Sequence, residues 1–301
     1  MKRRALLGLA VLTAGCCHSI GGNPLAVEGG GAGTVVVGSA DFPENRLLAE
    51  VYGEALKARK IKVSLKLSIG SREVLFGLVK QGALTVIPEY NGALLAYLAQ
   101  KSDDKAFSVS TQQTDKDVTR LLPAALAILK PAPAQDNDSL TITRKTSRAN
   151  GDLTSLEQIK PYAGTWIVGG PATFQSRFQD RFKSVYGVEF KEWRDFGSAS
   201  TVTVQRLVQG VIQGADLFTT DPAVQINDLV SLADPKGMFG VQNIIPLVHR
   251  GSLSTTASGV LDAVSAKLTT GALIAMMKRV SIDKDDTEGV AADWLKSQNL
   301  D

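Results

Sequence analysis

Apolar and polar positions along this chain follow two periods, and the switches between them outline its elements. TVVVG (Thr34–Gly38) is an unbroken apolar run and predicts a short buried strand. Pro43 and Glu44 suit a first helical turn, where proline has no N–H to lose and a carboxylate meets the positive end of the dipole. Leu47, Leu48, Val51, Tyr52, Ala55 and Leu56 then form one helical stripe through Arg59. Lys62–Ile69 alternates, with Val63, Leu65, Leu67 and Ile69 on one face, which predicts a half-buried strand. Gly70-Ser71 opens a helix with Val74, Leu75, Leu78 and Val79 inward, and Gly82 stops it. LTVI is the next strand and leads through Pro88 to Tyr90.

Beyond the Pro- and Asp-rich crossing Pro131–Asp138, the pattern repeats. SLTITR is a strand, TSLEQI a short helix capped by Thr154, TWIVGG a strand, and FQSRFQDRFKSVYG a helix stopped by Gly187. NIIPLVHR is an apolar strand, and three amphipathic helices close the chain, with Trp294 read as core. Strands alternating with helices predict an α/β protein with mainly parallel sheets. In such sheets ligands sit outside the carboxyl ends of the strands, where Asp41, Phe42, Ser71 and Tyr90 fall. KLSIGSREVLFGLVKQGALTVIPEY also has a looser echo in EWRDFGSASTVTVQRLVQGVIQGADLFTTD. Each runs strand, Gly-Ser (Gly70-Ser71; Gly197-Ser198), helix, Gln-Gly, strand, acid (Glu89; Asp221). Either two βαβ units are alike by chance, or the chain holds two similar lobes that present Tyr90 and Phe218.

The amino terminus changes where this body is expected to work. Lys2, Arg3 and Arg4 precede a short apolar run, and TAGC ends at Cys16, with Cys17 as a second thiol. Residues 1–15 read as a secretory signal, too short for a permanent span, and TAGC resembles a lipobox that would make Cys16 the lipidated residue. Residues 16–33 are Gly-rich and read as a flexible tether. Removing the three signal cations from 33 basic residues leaves 30, against 30 acidic ones. A neutral body argues against nucleic acid as a partner. With no cysteines beyond Cys16 and Cys17, and with His18 and His249 the only histidines, a structural zinc site is excluded. No cofactor is expected. No phosphate loop, GxGxxG or GxSxG is present. Glu89 and Asp221 could be cast as a glycosidase pair on the echo alone; binding without chemistry is the favoured reading.

VVVGSADFPENRLLAEVYGEAL, SIGSREVLFGLVKQGALTVIPEYNGALLAYL, FTTDPAVQINDLVSLADPKGMFGVQNIIPLV and VAADWLKSQNL together resemble the substrate-binding lipoproteins of quaternary-amine ABC importers, in particular actinobacterial members. The resemblance spans Thr34 to Asp301. It implies a two-lobed periplasmic-type fold, type II-like, with residues 34–137 plus 219–301 in lobe 1 and 138–218 in lobe 2. It also implies a monomer that captures glycine betaine, choline or carnitine outside the cell and hands it to a membrane permease.

Matched motif by motif, Tyr90 and Phe218 fall on cage aromatics and Arg177 on a basic group for a ligand carboxylate. Asp41, Phe42, Ser71, Ser139, Val204 and Thr219 complete the expected lining. This chain departs from the pattern at several of these positions. Ala40 and Asp41 stand where lysine is common, Ala93 replaces a threonine, and Ser139 and Val204 stand where rings are common. The thinned cage leaves a second ligand class open, an uncharged or aromatic polar compound.

Overall fold

Val35–Ala40 (β1) is buried at every position, as an unbroken apolar run requires of a central strand. The computed structural model describes residues 33–99, 110–197 and 200–301. The expected signal with Cys16, the tether up to residue 32, and Ser198 lie outside the described residues. After β1 come α1 (Pro43–Ala58), β2 (Val63–Gly70), α2 (Arg72–Lys80), β3 (Val86–Tyr90), α3 (Asn91–Ala99), α4 (Thr111–Leu121) and β4 (Leu126–Ile128). The chain continues through β5 (Asp138–Thr143), α5 (Arg144–Ala149), α6 (Lys160–Ala163), β6 (Ile167–Gly170), α7 (Ala172–Arg181) and β7 (Glu192–Asp195). It ends with α8 (Ser200–Val208), β8 (Gly214–Phe218), α9 (Ala223–Ile226), β9 (Leu229–Ser231), β10 (Ile244–His249), α10 (Thr255–Lys267), α11 (Thr270–Lys278) and α12 (Thr287–Ser297).

Two sheets result, ordered β2-β1-β3-β10-β4 and β7-β6-β8-β5-β9. They are the same arrangement built twice. The unit β2-α2-β3 occupies in one sheet the place that β7-α8-β8 occupies in the other, so the echo in the sequence corresponds to equivalent parts of two lobes.

Both sheets are mainly parallel in strand direction, as expected, and each is made mixed by one reversed strand. β10 runs antiparallel to β3 and β4, and β5 runs antiparallel to β8 and β9. The reason is topological. β5 and β10 follow the crossings between lobes, so each enters its sheet at the end where the parallel strands finish.

The second lobe is also larger than expected. β9 pairs with β5, and Leu232, Met238 and Phe239 lie in the second core, so the return to lobe 1 falls near residue 240 rather than at 219. There the two crossing segments run side by side. Asp136 N–H donates to the Gln242 carbonyl, and Gln135 bridges Asn243.

Pro88 continues β3 rather than ending it. It faces Pro246 across the β3–β10 ladder. The Pro88 carbonyl points away to the Asn45 side chain and the Pro246 carbonyl to Leu129 N–H. The missing N–H groups therefore remove no rung between these two strands. β2 is half-buried at all eight positions, without the expected two-faced contrast, because it is an edge strand. The short helical turn at Leu156–Gln158 is capped by Ser155 in a capping box with Gln158, one residue after the expected Thr154.

Candidate functional site

The parallel strands of both sheets end at the cleft between the lobes, and the residues that follow them line it. β1 leads to Phe42 and the first turn of α1, β3 ends at Tyr90, and β8 ends at Phe218. A cavity of about 1170 Å³ lies there, lined by Phe42, Glu44 and Tyr90 from the first lobe and by Arg177, Val204 and Phe218 from the second. A smaller cavity of about 330 Å³ adjoins it. Asp41, Ser71, Arg72 and Glu89 line this one, together with Phe42 and Tyr90.

Tyr90 is only 7% exposed, and its ring stacks on Phe42 with centroids 6.3 Å apart and planes 29° from parallel. Its hydroxyl donates to Glu44 Oε1 at 2.7 Å. The other Glu44 oxygen, Oε2, lies 2.6 Å from the Thr220 hydroxyl, which is also 2.7 Å from Asp136 Oδ1. Two residues on, Asp138 accepts from Arg177 Nη2 at 2.8 Å. Below the other face, Glu89 accepts from Arg72 Nε at 2.8 Å and from Tyr90 N–H at 2.9 Å. Both oxygens of Glu89 are thus engaged.

Glu44, Asp136, Asp138 and Asp216 titrate high because they are dry. Burial raises the Glu44 carboxyl, opposed by its bonds to Thr220 and Tyr90. Burial, then the Glu44 charge, pushes Asp136 well above the carboxylate range. Asp138 rises through burial, with Arg177 pulling the other way. Asp216, on β8 behind Asp138, is pushed up to about 8 by burial and then by the Asp138 charge, and its Oδ1 is buried with no hydrogen-bond partner among the described residues. The Tyr90 phenol is raised well above its ordinary value by burial and then by Glu44.

Seven of the nine expected residues line one cavity or the other: Asp41, Phe42, Ser71, Tyr90, Arg177, Val204 and Phe218. Ser139 and Thr219 line neither. Ser139 is buried with its hydroxyl donating to the Leu217 carbonyl at 2.7 Å, because strand alternation gives the cavity face to Asp138. The Thr219 hydroxyl accepts from Asn137 N–H at 3.0 Å and ties the crossing together, while Thr220 takes the cavity position. The expected clamp, Arg177, is already bonded to Asp138.

Sequence reasoning missed Glu44, Asp136, Asp138 and Thr220. The signals were present. Glu44 carries the signal of a helix-dipole residue, and both aspartates sit in the crossing PAPAQDND. The glycosidase pair does not hold together: Glu89 is bound to Arg72, and Asp221 Oδ1 accepts from Ala223 N–H at 2.8 Å at the start of α9.

A family model for the substrate-binding domain of ABC-type glycine betaine transport systems matches residues 33–297. The glycine betaine-binding protein YehZ of Escherichia coli (strain K12) is 27% identical over 283 residues, covering 89% of this chain and 91% of that protein. The solved structure of apo YehZ superposes with a TM-score of 0.76 at 25% identity, over 90% of this chain and 100% of that one. The structure of a glycine betaine/carnitine/choline ABC transporter protein superposes with a TM-score of 0.79 at 14% identity, over 88% and 99% of the two chains, a likeness of fold.

Proposed function

Because the chain belongs to the family of substrate-binding domains of ABC-type glycine betaine transport systems, we propose that it captures a quaternary-amine solute of the betaine or choline type between its lobes and delivers it to a membrane permease. The supporting observation is the cleft itself, where Phe42, Tyr90 and Phe218 lie beside buried carboxylates. A quaternary ammonium with four alkyl groups has no hydrogen to donate, so ring faces and negative charge are its natural hosts. Each face contributes roughly 0.5–2 kcal/mol, more where water is excluded. Phe42 and Phe218 are 42% and 52% exposed, so their faces are open to a ligand. Buried carboxylates favour such a cation over an uncharged polar compound.

The two lobes, joined by two antiparallel crossings that lie side by side, support closure about the segments 132–137 and 240–243 on ligand capture. We place the working protein outside the cell membrane, held by a lipid on Cys16. Calorimetric titration of the mature protein against glycine betaine, choline, carnitine, a polyol and a small phenol tests the reading. Saturable binding of a quaternary amine is expected. Binding only of the polyol or the phenol overturns it.

A further inference from the structure

The hydrogen-bond count around Thr220 does not close with ionised carboxylates alone. Its hydroxyl carries one hydrogen, yet it lies 2.6 Å from Glu44 Oε2 and 2.7 Å from Asp136 Oδ1. One of those contacts is a hydrogen bond donated by threonine. The other is a hydrogen bond only if that carboxyl carries a proton and donates it to the threonine oxygen. The Tyr90 hydroxyl supplies its own hydrogen to Glu44 Oε1, and Thr220 N–H reaches Asp136 Oδ1 at 3.3 Å, so neither relieves this contact. The arrangement Glu44–Thr220–Asp136 therefore stores one proton and one negative charge at the wall of the cavity.

The surrounding charges do not offset it. Arg177 on α7 is ion-paired with Asp138, and Arg72 on α2 with Glu89. Arg181 donates to the Met238 carbonyl. Asp216 on β8 and Asp221 before α9 add further carboxyls. Glu73 on α2 adds another at the cavity lining, with the Ser71 hydroxyl bonded to it. A carboxylate tail entering here meets acids first, and the two arginines best placed for it already hold acids. A cation meets rings and a carboxyl pair that gains a full second charge by releasing one proton. No group of three His, Cys, Asp or Glu side chains among the described residues could hold a metal ion, so the cation in question is organic.

We infer that this cleft selects a cation without a carboxylate, such as choline or a smaller amino alcohol, over a zwitterionic betaine, and that taking the cation expels the proton shared by Glu44, Thr220 and Asp136 into solvent. This deepens the quaternary-amine reading and rests on it. The same burial that raises Glu44 and Asp136 favours the protonated form of the pair and so works with the hydrogen-bond geometry to hold the shared proton until a cation arrives.

The test is calorimetry with choline, ethanolamine and glycine betaine at pH 7, in two buffers of different ionisation enthalpy, then at pH 6 and pH 8. Expected are choline bound at least tenfold tighter than glycine betaine, about half to one proton released per choline, and choline affinity rising three- to tenfold per pH unit. In Asp136→Asn the amide satisfies Thr220 without a stored proton, so proton release and the pH slope should vanish; far-ultraviolet circular dichroism checks its fold. Glycine betaine bound as tightly as choline, with no proton exchange, overturns this inference and leaves the quaternary-amine reading standing. No binding of any of the three amines overturns both.

Discussion

Tyr90 presents a ring and a hydroxyl with separable duties, and two substitutions divide them. Tyr90→Phe keeps the ring against Phe42 and removes the only donor to Glu44 Oε1 among the described residues. A hydrogen bond to a charged group contributes about 1.5–3 kcal/mol, and Glu44 is too buried for water to replace it fully. The upper part of that range is reduced because Glu44 can take up a proton instead. A loss of about 2 kcal/mol is expected, which for a chain of this size lowers the melting temperature by about 4–8 °C. Affinity for a quaternary amine should change little, since the ring face survives.

Tyr90→Ala removes both groups. The side chain is 7% exposed and packs in the first lobe's core, so its loss should cost about 3–5 kcal/mol of stability. It should also weaken amine binding by about 1–2 kcal/mol, the worth of one dry ring face. Urea denaturation gives the first quantity and calorimetric titration the second. If Tyr90→Phe is as stable as the native protein, the bond to Glu44 carries nothing. If Tyr90→Ala loses stability but binds amines as tightly as before, the tyrosine is core alone and the cage reading fails.

Four further outcomes follow from other places in the fold. Phe218→Ala should leave stability within about 0.5 kcal/mol, as the ring is half exposed, yet weaken amine binding by about 1 kcal/mol in titration. Asp216→Asn should flatten the pH dependence of stability. A carboxyl raised from 3.8 to about 8 holds a proton that the unfolded chain has released, so stability is full below about pH 4 and falls as pH rises toward 8, by at most about 1.4 kcal/mol per pH unit. Urea midpoints at pH 5 and pH 8 should converge in the variant; an unchanged gap refutes that assignment. Gly92→Ala should destabilise strongly, because a methyl group there collides with the Val241 carbonyl oxygen at the crossing, whereas Gly77→Ala, with open space, should not. Cys16→Ser should move the protein from the membrane fraction to the soluble fraction, and unchanged recovery with membranes counts against the lipid anchor.

The fold was legible wherever burial imposes a period. The stripe from Leu47 to Leu56 became α1 within one residue of its expected end, and VVV became a central strand, since an all-apolar run has nowhere else to go. Strand direction was not legible. Apolar runs such as NIIPLV look the same whether a strand is parallel or antiparallel, so the reversed entry of β5 and β10 had no local signature. The extent of the second lobe was hidden for a related reason. Leu229–Ser231 is three residues long and pairs with β5, some 90 positions earlier in the chain, and short strands of this kind are fixed by partners rather than by propensity.

The acids of the site were harder still, and the reason bears on how it works. The mature body is neutral in total, 30 basic against 30 acidic residues, a balance that argues against nucleic acid but says nothing of where the charges gather. Yet Glu44, Asp136 and Asp138 line one cavity with Thr220 between two of them, and Asp216 lies behind. Each has a bland local explanation: helix-dipole residue, loop aspartate, strand end, strand interior. What the sequence hides is their desolvation, which turns dispersed ordinary carboxylates into one group whose members all titrate above the usual carboxylate range. A cage read from aromatics alone looked depleted because Ser139 and Val204 stand where rings are common. Fixed negative charge beside two open rings attracts a cation more strongly than a third ring would, since a full charge outweighs a ring quadrupole wherever water is excluded. If that exchange of rings for carboxylates is the basis of recognition, Asp138→Asn should weaken cation binding more than Val204→Phe strengthens it. Titration of the two variants with choline decides the matter, and the reverse order returns the burden to the aromatic faces.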